Sequence, residues 1–400
     1  MQKTIPRIIL KSGKDEAIKR FHPWIFSGAI KKIEGNVFDG QIVQIYSNKD
    51  EYLGTGQYQD ASIAARILAF APEKPSDFDV DFFYNKLENA FQLRQNTGVA
   101  NNINTTVYRL IHGEGDNLPG LIIDFYNNHI VIQCHSIGMH KKISVIADAL
   151  KKLYGESLKS IYNKSGETLP SVYSKNNDTE GFIYGEVDIV EVQEYGHRFN
   201  IDFIRGQKTG FFIDQRENRK LLSYYAEGKT VLNTFCYSGG FSVYALKAGA
   251  KEVHSLDSSK KAIELTDNNV KLNFFPEEKH KSIVSDTMEY LDDSEIKYDI
   301  IILDPPAYAK HVNVKHNAVK GYKRLNQKAI SKIKNGGFLF TFSCSQVIDM
   351  PLFKSTVISA AINAQRKVRI IHQLTQPADH PINAFHPEGS YLKGLVLYVE

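Results

Sequence analysis

Apolar and polar positions follow three different patterns along this chain. Up to about residue 75, short runs alternate in and out, as in Gln41-Ile42-Val43-Gln44-Ile45-Tyr46 and Ile63-Ala64-Ala65-Arg66-Ile67-Leu68, with Gly28, Gly35, Gly40, Gly54 and Gly56 between them. Period-two runs broken by glycine predict short strands, so 1–75 reads as a small β-barrel. Residues 71–81, with Pro72, Pro75 and several acids, read as a linker, and 82–95 carries apolar residues at helical spacing.

The pattern then mixes. Leu121-Ile122-Ile123-Asp124-Phe125-Tyr126, a turn at Asn127-Asn128, and His129-Ile130-Val131-Ile132-Gln133 predict a hairpin. A helix is expected over 141–153 and a strand at Ile161-Tyr162-Asn163, which makes 76–195 a small α+β middle domain.

Over 196–400 buried strands alternate with helices. Strands are expected at 230–235, 252–257, 282–286, 298–304 and 337–342, and Cys236-Tyr237-Ser238-Gly239-Gly240 opens a helix running to Ala248. This is the pattern of a doubly wound parallel sheet, whose ligands bind beyond the carboxyl ends of the strands. Gly239 and Gly240 allow close backbone approach to a nucleotide-like cofactor, Asp257 is placed to accept from a ribose diol, and Asp286 to reach an adenine edge. The turn is not GxGxxG and no GxxxxGK[ST] occurs. Three strand-ending acids, Asp257, Asp286 and Asp304, with no pyrophosphate loop, describe S-adenosylmethionine better than NAD.

Composition narrows the class. Four hundred residues suffice for two or three domains, and a net charge of +4 permits a polyanionic partner without demanding one. No apolar run reaches the roughly 20 residues of a membrane span and the first residues lack a signal-peptide core, so a cytoplasmic chain is the simplest expectation. Cys134, Cys236 and Cys344 form neither a disulfide framework nor a CxxC pair, and no metal is expected. Between Pro305 and Asn335 stand Lys310, Lys315, Lys320, Lys323, Arg324, Lys328, Lys332 and Lys334 without one acid, interleaved with Tyr308, His311, His316 and Tyr322. A solvated helix face is the plain reading of such a run; directly after a candidate active-site loop it also reads as a phosphate-gripping surface.

The candidate chemistry lies in Ile302-Leu303-Asp304-Pro305-Pro306 and Phe342-Ser343-Cys344-Ser345, each the end of a buried strand opening into a loop. A cysteine within reach of an acid followed by two prolines suggests covalent chemistry on a nucleobase. Cys236, in the cofactor loop, and Cys134, after a middle-domain strand, read as packing residues.

Those two motifs, with the segment from Gly206-Gln207-Lys208-Thr209-Gly210-Phe211-Phe212-Ile213-Asp214-Gln215-Arg216 to Arg219, with Phe235-Cys236-Tyr237-Ser238-Gly239-Gly240, with Phe21-His22-Pro23-Trp24 and with Pro387-Glu388-Gly389-Ser390-Tyr391-Leu392-Lys393-Gly394, resemble the bacterial cytosine-C5 methyltransferases of large-subunit (23S) ribosomal RNA. The likeness covers essentially the whole chain. It implies an amino-terminal PUA barrel, an α+β middle domain and a Rossmann-like class I methyltransferase domain. It also implies S-adenosylmethionine held by Lys208, Thr209, Phe211, Asp214, Arg216, Phe235, Tyr237, Ser238, Gly239, Gly240, Asp257, Ser258, Asp286 and Pro305. At Asn233, where the family commonly has an aspartate, this chain would meet the cofactor with an uncharged amide. RNA contacts would come from His22, Trp24, Lys310, Lys320, Lys323 and Arg324, and a homodimer is compatible with the likeness.

In that chemistry Cys344 is the nucleophile. Cytosine C5 is a poor nucleophile; a thiolate adding at C6 makes the ring enamine-like, so C5 attacks the sulfonium methyl, and elimination then yields 5-methylcytosine. The thiol's acidity should be raised, an effect expected from the basic run and the strand-end loop. Asp304 would hold the base through N3 and N4. No residue declares itself as the acceptor of the C5 proton; water and a second carboxylate both stay open. Three other readings remain: methylation of a purine exocyclic amine, methylation of guanine N7 by close relatives lacking the cysteine, and a non-catalytic RNA-binding or ribosome-assembly factor.

Overall fold

The computed structural model describes residues 5–308 and 312–400; Lys310 and His311 of the basic run lie outside the described residues. Contacts divide the chain into two compact units: Met1–Val192 with Ile201–Phe211 and Ala378–Gly389, and Gln193–Asn200 with Phe212–Pro377 and Ser390–Glu400.

The first unit opens with strands β1 (Arg7–Leu10), β2 (Trp24–Phe26), β3 (Ile30–Glu34), β4 (Ile42–Tyr46), β5 (Tyr52–Tyr58) and β6 (Ile63–Phe70), in the order β2-β6-β5-β4-β1-β3. Their alternation turns Ile8, Leu10, Val43, Ile45, Ala65 and Ile67 onto one core. Gly56 is needed where β5 meets β6, since a Cβ there would come within 2.1 Å of the Arg66 carbonyl oxygen.

A five-stranded sheet follows, β7 (Val107–His112), β8 (Leu121–Tyr126), β9 (His129–Cys134), β10 (Ser160–Lys164) and β11 (Glu180–Tyr184), in the order β11-β10-β9-β8-β7. The β8–β9 hairpin turns on Asn127 and Asn128, both at positive φ, as a two-residue primed turn requires. The helix expected over 141–153 is realised as Ile137–Lys141, capped by Ser136, and Ile143–Tyr154, with a break at Lys142. The expected linker is partly core: Phe78 is fully buried, and Asp79 caps helix Val80–Asn96 by accepting from Phe82 N–H. Leu68 of β6 packs into the same cluster as Phe83, Leu87, Ile146 and Leu150.

After a two-stranded ribbon, β12 (Val190–Glu194) and β13 (His197–Ile201), comes a seven-stranded sheet: β14 (Thr230–Thr234), β15 (Glu252–Asp257), β16 (His280–Val284), β17 (Tyr298–Leu303), β18 (Ile333–Ser343), β19 (Val368–Leu374) and β20 (Lys393–Val399). Its order is β16-β15-β14-β17-β18-β20-β19. The sheet is not wholly parallel as expected, because β20 pairs antiparallel with both β18 and β19. The reason is the connection: a parallel neighbour needs a crossover, usually helical, whereas 375–392 returns with only a short 3₁₀ turn. The switch in strand order falls at β14, between β15 and β17, the place where such sheets bind ligands. No helix among the described residues is long and apolar enough to cross a membrane.

Candidate active site

Beyond the carboxyl end of β14 the chain makes a tight loop before helix Gly240–Lys247. Phe235, Tyr237 and Gly239 all take positive φ, a concentration of strained backbone that marks functional loops. Gly239 has no room for a side chain, since a Cβ would come within 2.7 Å of Thr266 Cγ2, and one at Gly240 within 2.9 Å of Arg219 Cδ. Asp257, ending β15, steadies the loop by accepting from Tyr237 N–H (3.1 Å) and Ser259 N–H (2.9 Å). Ser258 beside it is exposed. These features fit an adenosyl cofactor: a helix amino terminus without a side-chain cap, two glycines at its start, and an acid twenty residues on from Tyr237.

Asp286 is not a strand end. β16 stops at Val284, and Asp286 caps helix Thr287–Asp293 by accepting from Met288 and Glu289 N–H. Asn233 is buried in β14 with its amide donating to Ser242 Oγ (2.9 Å), which contacts Ser255 Oγ (2.6 Å). Arg216 is buried beside Glu194, which takes Arg219 bidentately at 2.8 Å twice and the Tyr244 hydroxyl at 3.0 Å. Lys208, Thr209 and Phe211 belong to the first unit. There Thr209 is buried, donating to Asp124 (2.7 Å) and accepting from the Tyr126 hydroxyl (3.1 Å); Phe211 is buried and Lys208 exposed.

The candidate reactive pair, Asp304 and Cys344, lies across adjacent strand ends. β17 and β18 are parallel neighbours with Leu303 opposite Thr341, so Asp304 and Cys344 emerge at the same edge of the sheet. Pro305, the next residue of the loop, is buried. Asp304 is half-buried, and burial together with the neighbouring Asp214 pushes its carboxyl up to about 7, opposed by a hydrogen bond from Gln215. Gln215 is oriented by Asn218, whose amide donates to its oxygen at 2.6 Å. Cys344 is the one half-exposed cysteine of the three; Cys134 and Cys236 are buried.

The expected lowering of the thiol is overturned. Burial, then Asp304, then Asp214 push Cys344 up to about 11, and Lys393 opposes them weakly. Among the described residues, no cation of the basic run sits beside it. Lys393, opposite Ser343 in the ladder and only 5% exposed, donates to the Ser345 carbonyl (2.7 Å) and the Tyr391 carbonyl (2.5 Å), and burial lowers it to about 8. Tyr391 in turn donates its hydroxyl to Asp214 (2.7 Å). Lys393, Tyr391 and Gln215 had not been expected in the site. For Lys393 a signal exists, a single cation in the apolar run Leu392 to Val399.

The basic run divides. Lys328 pairs with Asp292 and Lys334 with Asp299, and Lys332 donates to the Ser294 carbonyl, so acids distant in sequence neutralise its far end. Lys320 and Arg324 are exposed and Lys323 half-buried on helix Lys315–Lys332, with no ion pair among the described residues. Tyr322, between them, is buried and accepts from Ser343 Oγ at 3.0 Å. In the first unit His22 and Trp24 are half-buried; Trp24 Nε1 donates to Glu114 (2.8 Å), its ring meets His386 edge-on, and His22 Nε2 lies 3.6 Å from Glu388.

Comparison with known proteins shows the family. Residues 8–70 match a PUA-like domain and 108–387 the model of an S-adenosylmethionine-dependent methyltransferase family. The ribosomal RNA large subunit methyltransferase I of Photobacterium profundum is 38% identical over 98% of this chain and 99% of its own length. That of Aeromonas hydrophila is 39% identical over 98% of each. A solved Streptococcus mutans chain, described as a SAM-dependent methyltransferase, shares the fold with a TM-score of 0.83, at 24% identity over 99% of this chain and all of that one. The chain therefore belongs to the S-adenosylmethionine-dependent methyltransferases that carry an amino-terminal PUA-like domain, among the ribosomal RNA large subunit methyltransferase I proteins.

Proposed function

We propose that this enzyme methylates C5 of a cytosine in large-subunit ribosomal RNA through a covalent bond from Cys344 to C6. The observation that carries the reading is the meeting of a half-exposed thiol and a carboxyl raised to about 7 at neighbouring strand ends. Kinship with proteins named for large-subunit ribosomal RNA supplies the substrate class. Bound S-adenosylmethionine supplies an electrophilic methyl group. Phe235 to Gly240 and Asp257 hold it, and Lys320, Lys323 and Arg324 face RNA phosphates.

The two raised groups explain each other. Between about pH 7 and about pH 11 the pair carries one proton before the base binds, on the thiol, with Asp304 ionised. When cytosine binds, that proton passes toward Asp304 and N3. The transfer frees the thiolate to add at C6 and leaves a neutral carboxyl that donates to N3 while its other oxygen accepts from N4. A strongly depressed thiol pKa is unnecessary, because the proton has a nearby acceptor. Activity should therefore rise tenfold per pH unit up to about 7 and level above it.

The test is Cys344→Ala assayed with large-subunit RNA, with 5-methylcytosine mapped in the product. Loss of 5-methylcytosine is expected. A Cys344→Ala enzyme that still methylates would refute the covalent reading and point to a purine nitrogen, and failure to bind S-adenosylmethionine at all would point to a non-catalytic RNA-binding factor.

A further inference from the structure

Resting on the covalent reading above, we propose that Asp214 is the catalytic base that takes the C5 proton and releases the product. Once C5 carries both its hydrogen and the new methyl group, turnover needs the C5–H bond to break. Its electron pair forms C5=C6, the C6–S bond breaks with its pair going to Cys344 sulfur, and the proton must land on a nearby base. Asp304 cannot serve while it is neutral and bound to N3. Lys393 is a donor, its ammonium committed to two carbonyl oxygens.

Asp214 has the required geometry. It sits in the 3₁₀ turn Ile213–Gln215, next to the glutamine that bonds Asp304. One carboxylate oxygen, Oδ2, accepts from the Tyr391 hydroxyl at 2.7 Å, which aims the group; the other, Oδ1, is buried with no hydrogen-bond partner among the described residues. A buried oxygen left unpaired costs about 1–3 kcal/mol, and such a cost persists where function uses it. The contacts also close around the reacting position. From Cys344 they run through the Ser345 carbonyl, Lys393 Nζ, the Tyr391 carbonyl and hydroxyl, Asp214 and Gln215 to Asp304. The negative field of Asp214 reaches both Asp304 and Cys344, the two groups that would grip opposite parts of the ring. The carboxylate that receives the proton then returns it to water when the product leaves.

The experiment uses the full-length enzyme, large-subunit RNA and methyl-labelled S-adenosylmethionine, with Asp214→Asn. Expected is one methyl transferred per enzyme, a steady-state rate down about 100-fold or more, and a denaturant-stable protein–RNA adduct that carries the label and is absent from Asp214→Asn/Cys344→Ala. Tyr391→Phe, which leaves the carboxylate but removes its guide, should accumulate the same adduct to a lesser extent, so the idea stays testable if Asp214→Asn does not fold. Native turnover in Asp214→Asn, or in Tyr391→Phe where Asp214→Asn does not fold, would overturn the assignment. So would loss of activity with no adduct, whether from weakened S-adenosylmethionine binding, as a cofactor contact predicts, or from failure of the first transfer. The parent reading fails separately: only a methylating Cys344→Ala enzyme removes the adduct on which this step acts.

Discussion

Asp116 and Asp124 in the first unit and Asp304 in the second have opposite surroundings. In the first, Asp116 meets Arg94 bidentately at 2.5 and 2.7 Å, both side chains almost wholly out of water, and Asp124 meets Arg109 at 2.8 and 2.9 Å while also accepting from Thr209. In the second, Asp304 receives a neutral amide and faces a second acid, and the nearby Arg219 is already taken by Glu194. Full pairing makes a buried charge inert and orders the chain around it. Pairing withheld leaves a carboxyl that holds its proton near neutrality, and that is the state acid–base chemistry needs.

The contrast can be broken in order of size. Cys344→Ala should lower turnover by about 10⁴-fold or more, the scale expected for a lost covalent nucleophile, and single-turnover kinetics will read it. Arg94→Ala leaves Asp116 buried without its cation and should cost about 3–5 kcal/mol of stability in urea unfolding. Asp304→Asn does the opposite: it should cut the rate about 100-fold or more and abolish the acid limb below about pH 7, yet leave the fold intact.

Asp304 also governs stability against pH. Its carboxyl titrates at about 7 when folded and near the ordinary 3.8 when unfolded, so the folded chain holds the extra proton between those values. Its contribution to stability is therefore greatest at acid pH and falls as pH rises from about 4 to about 7. Asp304→Asn should flatten that slope in melting curves. The smallest effect belongs to the surface: replacing Lys320, Lys323 and Arg324 by glutamine should weaken RNA binding severalfold and make its dependence on salt shallower, whereas the paired Lys328 and Lys334 should matter less.

Much of this was legible in the chain because it is local. Alternation located strands such as Glu252–Asp257 to the residue, Asn127-Asn128 announced a primed turn, and two glycines marked the cofactor loop. Asp304 and Cys344 could be picked out because each ends a run of apolar residues, the mark of a buried strand reaching its loop. Local signals misjudged what depends on neighbours. Lys142 breaks a helix whose apolar spacing continues across it, and Phe78 sits in a linker by composition and in a core by packing.

What the sequence alone determined is five of the seven strands of the large sheet, the class of cofactor and the two residues proposed to carry the chemistry, since strand periodicity and motif spacing need no partner. What only the tertiary structure decided is electrostatic. The thiol is raised rather than lowered, its lysine among the described residues is Lys393 rather than one of the basic run, and two lysines of that run are neutralised by acids far away in sequence. Charge interactions act through space and grow as water is excluded, so they were fixed only when β20 slid in beside β18 and the turn carrying Asp214 met Tyr391.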